Sequence, residues 1–198
     1  SVIFGEADIY INSMKSLKEF SEEKSIVKPL YVFVPRAPEV FDDLFKKISE
    51  SGLSVIRRSE GFSEDLQPNA SIDWNNIDVL LGDSFGEMYF YLKLCDNVVA
   101  GGGFWHTGAH NIIEQLQLHK PVTVGPEIWT IKFPAQQAEE AGLLTVVKDP
   151  SELKSNLRLM VESNVNDRFS RDKFAKFLKI YAGASNRALA MLDNKGLL

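Results

Sequence analysis

Apolar positions along the chain follow two spacings in turn, one typical of buried strands and the other of amphipathic helices. The run 29–34 is continuously apolar and rich in β-branched and aromatic residues, as in strands buried on both faces of a sheet. In 9–24 and 39–51, apolar residues recur every three to five positions among charged ones, which predicts amphipathic helices. The predicted strands are 2–4, 29–34, 53–56, 77–81, 96–100, 121–124 and 143–147, and the predicted helices are 9–24, 39–51, 87–94, 111–119, 132–141, 150–163 and 167–192, the last with a break at Gly183.

The alternation of strand and helix over the first 150 residues predicts an α/β fold. We expect an open, Rossmann-like parallel sheet with helices on both faces and right-handed crossovers. The remaining helices form a helical C-terminal tail, and residues 1–198 form a single domain. The polar stretch 57–76 is predicted to be a long loop. Ligands of such sheets bind at the carboxyl ends of the strands, and the polar or glycine-rich segments 35–36, 82–87, 101–111 and 125–126 all fall there.

Net charge, cysteine content and the lengths of the apolar runs exclude several classes of function. The net charge is −5 with acidic and basic residues interspersed, so we expect no extended nucleic-acid-binding surface, although a local anion site remains open. Cys95 is the one cysteine and cannot form an intrachain disulfide, and no Cys/His group has metal-ligand spacing. No apolar run reaches the ~18 residues of a membrane span, and no signal peptide pattern is present. Because the sequence opens directly on a strand-like segment, we expect it to be part of a longer protein.

Three consecutive glycines, Gly101 to Gly103, lie between a predicted strand and a predicted helix. Such a loop leaves backbone N–H groups uncovered and converging, which is one way in which proteins hold a phosphate. The other interpretation is steric: the glycines only allow a tight turn and close packing. The sequence leaves both interpretations open.

A second polar segment, 82–87, precedes another predicted helix. Ser84 and the neighbouring N–H groups have the composition of a phosphate site at a helix start. Alternatively, Ser84 or Asp83 caps the helix and Glu87 completes a capping box. Both uses employ the same orphan N–H groups, so the pattern does not separate them.

Several other side chains at the strand ends are suited to a ligand. Arg36 lies on a proline-flanked tip and is either a solvated arginine or an anion ligand. His110 is a general acid, a phosphate ligand or a packed loop histidine, and Asn111 is either a ligand or a helix cap. Glu114 shares their helix face, where a carboxylate can accept two ribose hydroxyls or simply suit the helix start. His106, beside an exposed Trp105, marks a mobile lip or contact surface.

Taken together, these motifs resemble one family in order and spacing over about residues 30 to 145. The segments are Val34 to Phe41, Arg57-Arg58-Ser59, Leu81 to Glu87, Gly101-Gly102-Gly103, Gly108 to Glu114, Lys120-Pro121-Val122 and Gly125-Pro126. They are similar to the C-terminal half of 3-deoxy-D-manno-octulosonic acid (Kdo) transferases. The resemblance implies a GT-B glycosyltransferase whose C-terminal half binds the CMP-Kdo donor, with the final helices packing toward the other half.

The resemblance also implies the site residues. Arg36 and the helix-start N–H groups would bind the donor phosphate and the Kdo carboxylate, and Glu114 the cytidine ribose. No metal or other cofactor is implied, because arginine and helix termini can stabilise the phosphate charge. The implied substrate-binding residues are Arg36, Asp83, Ser84, Gly86, Glu87, Gly102, Gly103, His110, Asn111 and Glu114.

The sequence also departs from the family pattern. Ala37 stands where the family has histidine and Val40 where it has arginine. Ser84-Phe85 replaces Thr-Met, and Ala109 replaces glycine. Because position 37 loses a polar ligand, the affinity for the donor or the choice of donor is expected to change.

The implied activity is inverting Kdo transfer to a lipid A precursor in lipopolysaccharide synthesis, at the cytoplasmic face of the inner membrane. The catalytic base and the acceptor site belong to an N-terminal half outside this sequence, so the chain alone is expected to bind nucleotide without turnover. Two rival hypotheses remain: a nonenzymatic domain kept for nucleotide or protein binding, and a GT-B enzyme that uses a UDP-sugar.

Overall fold

The computed structural model describes residues 1–162 and 171–195. Its strands are β1 (Tyr31–Phe33), β2 (Val55–Arg57), β3 (Val79–Leu81), β4 (Val98–Ala100), β5 (Val122–Val124) and β6 (Leu144–Val146). Its helices are α1 (Ala7–Lys24), α2 (Phe41–Glu50), α3 (Arg58–Gly61), α4 (Met88–Leu94), α5 (Ile113–Gln117), α6 (Lys132–Glu140), α7 (Pro150–Glu162), α8 (Arg171–Tyr181) and α9 (Ala184–Asn194). Single 3-10 turns cover Phe4–Glu6, Pro38–Val40, Trp74–Asn76 and Trp129–Ile131.

The strands form two parallel three-stranded sheets, which confirms the predicted α/β class. The first has the order β1-β3-β2, with Tyr31 opposite Val79 and Val55 also opposite Val79. The second has the order β4-β5-β6, with Val98 opposite Val122 and Val122 opposite Leu144. The single continuous sheet that the alternation predicted is interrupted, because no strand of the described residues joins β1 to β4.

Several predicted boundaries are corrected. The predicted strand 2–4 contributes one parallel bridge, from Val2 to Pro35, and then turns into the first 3-10 turn. The predicted helix 111–119 shortens to α5. The predicted loop 57–76 contains α3 and the 3-10 turn Trp74–Asn76. The start of the predicted helix 167–192 lies outside the described residues, and its break at Gly183 is confirmed, where φ is 73° between α8 and α9.

Two apolar clusters hold the sheets. The first gathers α1, α2, β1 and β3 and extends to Val147, just after β6, and to Leu153 of α7. The second surrounds β5, α5 and α6 and includes Phe174 and Phe177 of α8, which are 0% and 3% exposed. These two aromatic side chains of α8 complete this domain's own core. That the final helices pack toward another half of the enzyme stays a prediction.

A buried carboxylate ties α1 to the first sheet. Asp78, 1% exposed just before β3, accepts hydrogen bonds from Lys18 Nζ and from the Ser54 backbone N–H, each at 2.8 Å, and Lys28 Nζ lies 3.2 Å from its other oxygen. Burial would raise the pKa of Asp78, but the hydrogen bonds from Lys18, Ser54 and Lys28 outweigh it and hold the pKa below its ordinary value of 3.8. The carboxylate is therefore charged at neutral pH and fixes three segments at once.

Asp78→Asn should lower the free energy of unfolding at pH 7 by about 2–4 kcal/mol, because it leaves two partly buried ammonium groups without their counter-ion. Urea unfolding followed by circular dichroism measures this. The control is Asp42→Asn, whose carboxylate is 90% exposed although it lies 2.6 Å from Arg57, and for which we expect less than ~0.5 kcal/mol. Equal losses in the two variants would contradict the assignment.

Candidate functional site

The carboxyl ends of β1, β3 and β4 surround the N-terminal segment of the chain. Val2 donates its N–H to the Val34 carbonyl at 2.7 Å, and its own carbonyl accepts the Arg36 N–H at 2.9 Å. On the other side, the Ser1 carbonyl lies against Gly101, so closely that a Cβ on Gly101 would stand 1.7 Å from it. The segment thus lies between two of the predicted ligand-binding loops.

The glycine loop does cradle an anion, and that anion belongs to the protein. Glu6 is 0% exposed, and its Oε1 accepts the Gly102 N–H at 2.5 Å. Its Oε2 accepts the Phe104 N–H at 3.3 Å, and Oε1 also accepts the Ile3 N–H at 3.3 Å. The expectation that this loop offers free N–H groups to a phosphate is therefore wrong for Gly102 and Phe104, because Glu6 already occupies them.

Sterics explain the glycines of the loop. Gly102 has φ of 84°, a left-handed conformation that glycine adopts without strain. A Cβ on Gly103 would stand 2.5 Å from the Gly125 backbone nitrogen, so these two loops touch backbone to backbone. Trp105, which we expected to be exposed, is only partly so, because its ring covers Gly5, where a Cβ would lie 2.4 Å from the ring.

The loop 82–87 is held by side chains rather than by a helix cap. Helix α4 begins after Glu87, whose side chain does not cap it. Instead, the Ser84 hydroxyl donates to the Glu87 carboxylate and lies 2.5 Å from the Tyr91 hydroxyl. Arg58 Nη2 binds the other Glu87 oxygen at 2.5 Å. The capping-box interpretation is therefore wrong, and Glu87 acts as the anchor of the loop.

Asp83 is used in the same way. Its two oxygens accept the Ser59 backbone N–H at 2.9 Å and the Ser59 hydroxyl at 2.6 Å. This fixes α3 to the end of β3. The carboxylates of Asp83 and Glu87 thus shape the loop and have protein partners already.

A cavity of about 210 Å³ opens between this loop and the end of β1. The exposed Phe85, 74% accessible, lies at its edge, and Gly86 with φ of 75° has open space where a Cβ would stand. The cavity is lined by four of the predicted site residues, Arg36, Ser84, Gly86 and Glu87, together with Ser1 and Tyr91 among others.

Arg36 and Glu114 are both available to a ligand. Among the residues that the structure describes, no hydrogen bond or ion pair engages the guanidinium of Arg36 or the carboxylate of Glu114. Both charges act on the Ser1 amino group, Arg36 lowering its pKa and Glu114 raising it, so the two side chains approach Ser1. Of the two, Arg36 lines the cavity beside the loop 82–87.

His110 is neutral at physiological pH. Its Nδ1 lies 2.9 Å from the Ser1 carbonyl, which can only accept, so Nδ1 carries the proton and Nε2 bears a lone pair. Burial, and after it the positive charges of the Ser1 amino group and of Arg36, lower the pKa of His110 from 6.5 to about 4. A neutral ring with a free acceptor nitrogen suits a hydroxyl group better than a phosphate.

Asn111 has a structural contact. Its Oδ1 accepts the Ile113 N–H at 3.1 Å in a local turn just before α5. The N-cap of α5 is Ile112, which has no side-chain cap bond, so Asn111 is not the helix cap. The side chain is otherwise exposed and precedes Glu114 by less than one helical turn.

Glu6, Arg58 and Tyr91 take part in the site although sequence reasoning did not assign them a role. An acidic residue after Gly5 looks like an ordinary first-turn acid, and its partner Gly102 lies 96 positions away. Arg58 was seen within the Arg57-Arg58-Ser59 motif, but its pairing with Glu87 needs the fold. The signal that could have indicated Arg58 was its place in Arg57-Arg58-Ser59, one of the segments that resemble the family.

Glu6→Gln should destabilise the chain by about 2–3 kcal/mol, because the amide NH₂ would face a backbone N–H that has no other acceptor. Urea unfolding at pH 7 measures the loss. The control is Asp8→Asn in the first turn of α1, whose exposed carboxylate lies 2.9 Å from Lys47 Nζ of α2. If both variants unfold at the parent's midpoint, Glu6 does not hold the loop.

Stability should fall as the pH drops from 6.5 to 4, because unfolded His110 binds a proton that the folded chain rejects. The contribution of neutral His110 to the free energy of unfolding is fully present above pH 6.5. It is lost progressively as the pH falls from 6.5 to 4. In His110→Gln, the loss between pH 7 and 4.5 should be smaller than in the parent by about 1–2 kcal/mol, after allowance for partial exposure.

The causes of the lowered His110 pKa can be tested separately in the 198-residue chain. NMR titration should place the pKa of His110 well below 6.5, and Arg36→Gln should raise it, whereas the distant Arg158→Gln should not. An ordinary His110 pKa in the parent would overturn the assigned tautomer and burial.

No protein-family model matches the sequence. The chain is 32% identical over 191 residues to the 3-deoxy-D-manno-octulosonic acid transferase of Bordetella pertussis, which covers 96% of this chain and 42% of that protein. It is 31% identical over 170 residues to the protein of the same name from Haemophilus influenzae, which covers 82% of this chain and 36% of that protein. The chain thus spans less than half the length of these relatives.

A solved structure has the same fold. The C-terminal CMP-Kdo binding domain of WaaA from Acinetobacter baumannii matches with a TM-score of 0.67 and 24% identity, over 85% of this chain and 81% of that one. No helix among the described residues is long and apolar enough to cross a membrane. The sequence relationship covers nearly the whole chain, and the chain therefore belongs to the 3-deoxy-D-manno-octulosonic acid transferase family, with the fold of a C-terminal domain from such an enzyme.

Proposed function

We propose that this chain is the donor-binding C-terminal half of a Kdo transferase and that it binds CMP-Kdo at the carboxyl ends of β1, β3 and β4. The observation that carries the proposal is the unpaired Arg36 beside a cavity at this edge of the sheet. The related solved domain is described as CMP-Kdo binding, which supports the choice of donor.

Arg36 is suited to the phosphate or the Kdo carboxylate. A guanidinium offers two parallel N–H donors that match either anion. Its backbone is fixed by the hydrogen bond to Val2, so the charged group starts from a rigid loop. An anion bound there replaces water around an unpaired cation without breaking a protein ion pair.

Glu114 and His110 are suited to hydroxyl groups. An ionised carboxylate accepts two ribose hydroxyls, and the Nε2 lone pair of His110 accepts one more. Neither attracts phosphate, so the anion is directed toward Arg36 and the sugar toward the start of α5. This division agrees with the roles that the family resemblance implies.

The loop 82–87 serves as a wall of the site. Ser84 and Gly86 line the cavity directly, while Glu87 and Asp83 are positioning residues engaged with Arg58 and Ser59. Gly102 and Gly103 act through the backbone by keeping the neighbouring loop close to Gly125. Asn111 fixes the start of α5 and presents its exposed amide beside Glu114.

The whole enzyme would transfer Kdo with inversion. A base in the N-terminal half removes a proton from an acceptor hydroxyl, whose oxygen attacks the anomeric carbon. The bond from that carbon to the phosphate oxygen breaks, and CMP leaves with the electron pair, stabilised here by Arg36. This chain alone would bind the donor without turnover. A lipid A precursor as acceptor would place the full enzyme at the cytoplasmic face of the inner membrane.

Calorimetric titration of the folded chain with CMP, CDP and UDP, each with and without EDTA, tests the proposal. We expect CMP to bind most tightly and EDTA to have no effect, because Arg36 supplies the positive charge. Tight UDP binding without CMP binding would favour a UDP-sugar enzyme. No binding to a chain shown to be folded would favour a nonenzymatic domain, a rival that the loss of histidine at Ala37 suggests.

Two variants test the residues. Arg36→Gln and Glu114→Gln should each weaken CMP binding by roughly tenfold or more, since each removes a charged hydrogen-bond partner. Arg158→Gln, an exposed arginine on α7 that bonds Ser16, is the matched control and should bind as the parent does. Parent-like affinity in both site variants would remove the assignment.

A further inference from the structure

Four side chains beside the cavity form one continuous set of hydrogen bonds. Arg58 Nη2 donates to Glu87 Oε1 at 2.5 Å, and the Ser84 hydroxyl donates to Glu87 Oε2. The hydroxyl oxygens of Ser84 and Tyr91 lie 2.5 Å apart, which completes the set. We call these four residues the Ser84 network. Three of them, Glu87, Ser84 and Tyr91, line the same cavity of about 210 Å³ as Arg36.

Arg58 fixes the direction of every proton in the Ser84 network. An arginine stays protonated in proteins, so the Glu87 oxygen that faces it can only accept. The ion pair requires Glu87 as a carboxylate, whose second oxygen also only accepts, and the Ser84 proton is therefore committed to that oxygen. Because Ser84 has no other proton, the Tyr91 hydroxyl must donate to Ser84.

Tyr91 is held in the position that this donation requires. Its side chain is 2% exposed, and a Cβ on Gly82 would stand 2.8 Å from its ring carbon Cζ, so the ring lies directly on the backbone at the end of β3. Burial raises the pKa of Tyr91, and its hydroxyl keeps the proton at physiological pH. The donor of the bond to Ser84 is thus always present.

The Ser84 network consequently offers the cavity lone pairs and no proton. Ser84 Oγ donates to Glu87 and accepts from Tyr91, so one lone pair remains. Its hydroxyl can donate to a phosphate only if the bond to Glu87 breaks, and the negative charge of Glu87 behind it disfavours an anion at this place. Arg36, in contrast, brings a cation with several N–H donors to the same cavity.

We infer that Ser84 is a specificity-determining residue, whose oxygen accepts a hydrogen bond from a neutral donor group of the bound nucleotide sugar while Arg36 binds the anion. Arg58, Glu87 and Tyr91 are positioning residues that act through Ser84 by fixing the direction of its proton. The inference rests on the proposed binding of CMP-Kdo and adds a contact within that ligand. With the ribose assigned to Glu114 and His110, the neutral donors that remain are the amino group of cytosine and the hydroxyl groups of Kdo.

An acceptor at this place discriminates between ligands of equal charge, which Arg36 alone cannot do. A site built to accept from an N–H or O–H group rejects an analogue that lacks the donor, because a polar atom of the protein is then left without its partner. Uracil carries a carbonyl oxygen where cytosine carries its amino group, so it would set a lone pair against Ser84.

Calorimetric titration of the 198-residue chain with CMP, UMP and CMP-Kdo tests the inference, with Glu87→Gln as the main variant. Arg58 offers only donors, so the new amide turns its oxygen to Arg58 and its NH₂ to Ser84, whose proton is then released into the cavity. If the cytosine amino group contacts Ser84, the ratio of the UMP Kd to the CMP Kd should fall by roughly tenfold or more. If a Kdo hydroxyl does, the ratio of the CMP Kd to the CMP-Kdo Kd should fall by roughly threefold, since a hydroxyl can also accept.

The ratios separate this role from a structural one, which would change all three affinities together. Glu60→Gln, exposed on α3, removes the same charge nearby and should change neither ratio. Ser84→Ala leaves the pair of Arg58 and Glu87 intact and should lower the same ratio as Glu87→Gln, so the test does not depend on one variant. If both ratios stay within about twofold of the parent's in variants that circular dichroism shows to be folded, the inference is overturned. If the parent binds none of the three ligands, the proposed function fails and this inference with it.

Tyr91→Phe tests the far end of the Ser84 network. It keeps the ring on Gly82 but removes the donor to Ser84, so the affected ratio should fall by roughly two- to threefold while its direction is kept. The matched control is Tyr89→Phe, a 50% exposed tyrosine on the same helix, which should bind all three ligands as the parent does. An equal loss of affinity for CMP, UMP and CMP-Kdo in Tyr91→Phe would contradict its positioning role.

Discussion

The candidate site depends on one buried carboxylate. Glu6 binds backbone N–H groups of a loop that lies about half the chain away, and it also fixes the turn that precedes α1. An ionised carboxylate removed from water is tolerated only where donors surround it. The N-terminal segment that Glu6 fixes in turn contacts His110 through the Ser1 carbonyl and the Arg36 N–H through the Val2 carbonyl.

Local patterns predicted most of the fold and the general location of the site. The apolar run around β1 and the amphipathic stripe of α1 gave the element types, and their alternation gave parallel pairing at the strand ends. Boundaries were less predictable: the stretch 111–119 keeps helical spacing, but Asn111 bonds Ile113 and delays the first turn. The spacing of apolar residues reports the local preference for helix or strand, whereas the residue at which a helix begins or ends depends on particular hydrogen bonds.

What the sequence could not specify was which charged groups are already paired. Asp83, Glu87 and Glu6 have the composition of ligands, yet each is bound to a serine, an arginine or a backbone N–H of the protein. In the sequence, Arg36 and Glu114 cannot be told apart from these paired residues, yet in the structure they remain available to a ligand. That division depends on contacts between residues far apart in the chain, which no spacing rule encodes, although the roles of the remaining ligands still stand as predictions.

The two clamps on α1 have a mechanical consequence. Glu6 fixes the beginning of the helix at the carboxyl edge of the sheets, and Lys18 fixes a later turn to Asp78 at the amino edge. The twelve residue steps from Glu6 to Lys18 span about 18 Å, and one inserted residue would advance the helix by about 1.5 Å and rotate it by about 100°. Neither buried anchor can follow such a shift, so α1 acts as a strut of fixed length, and its residue count is constrained more strictly than its composition.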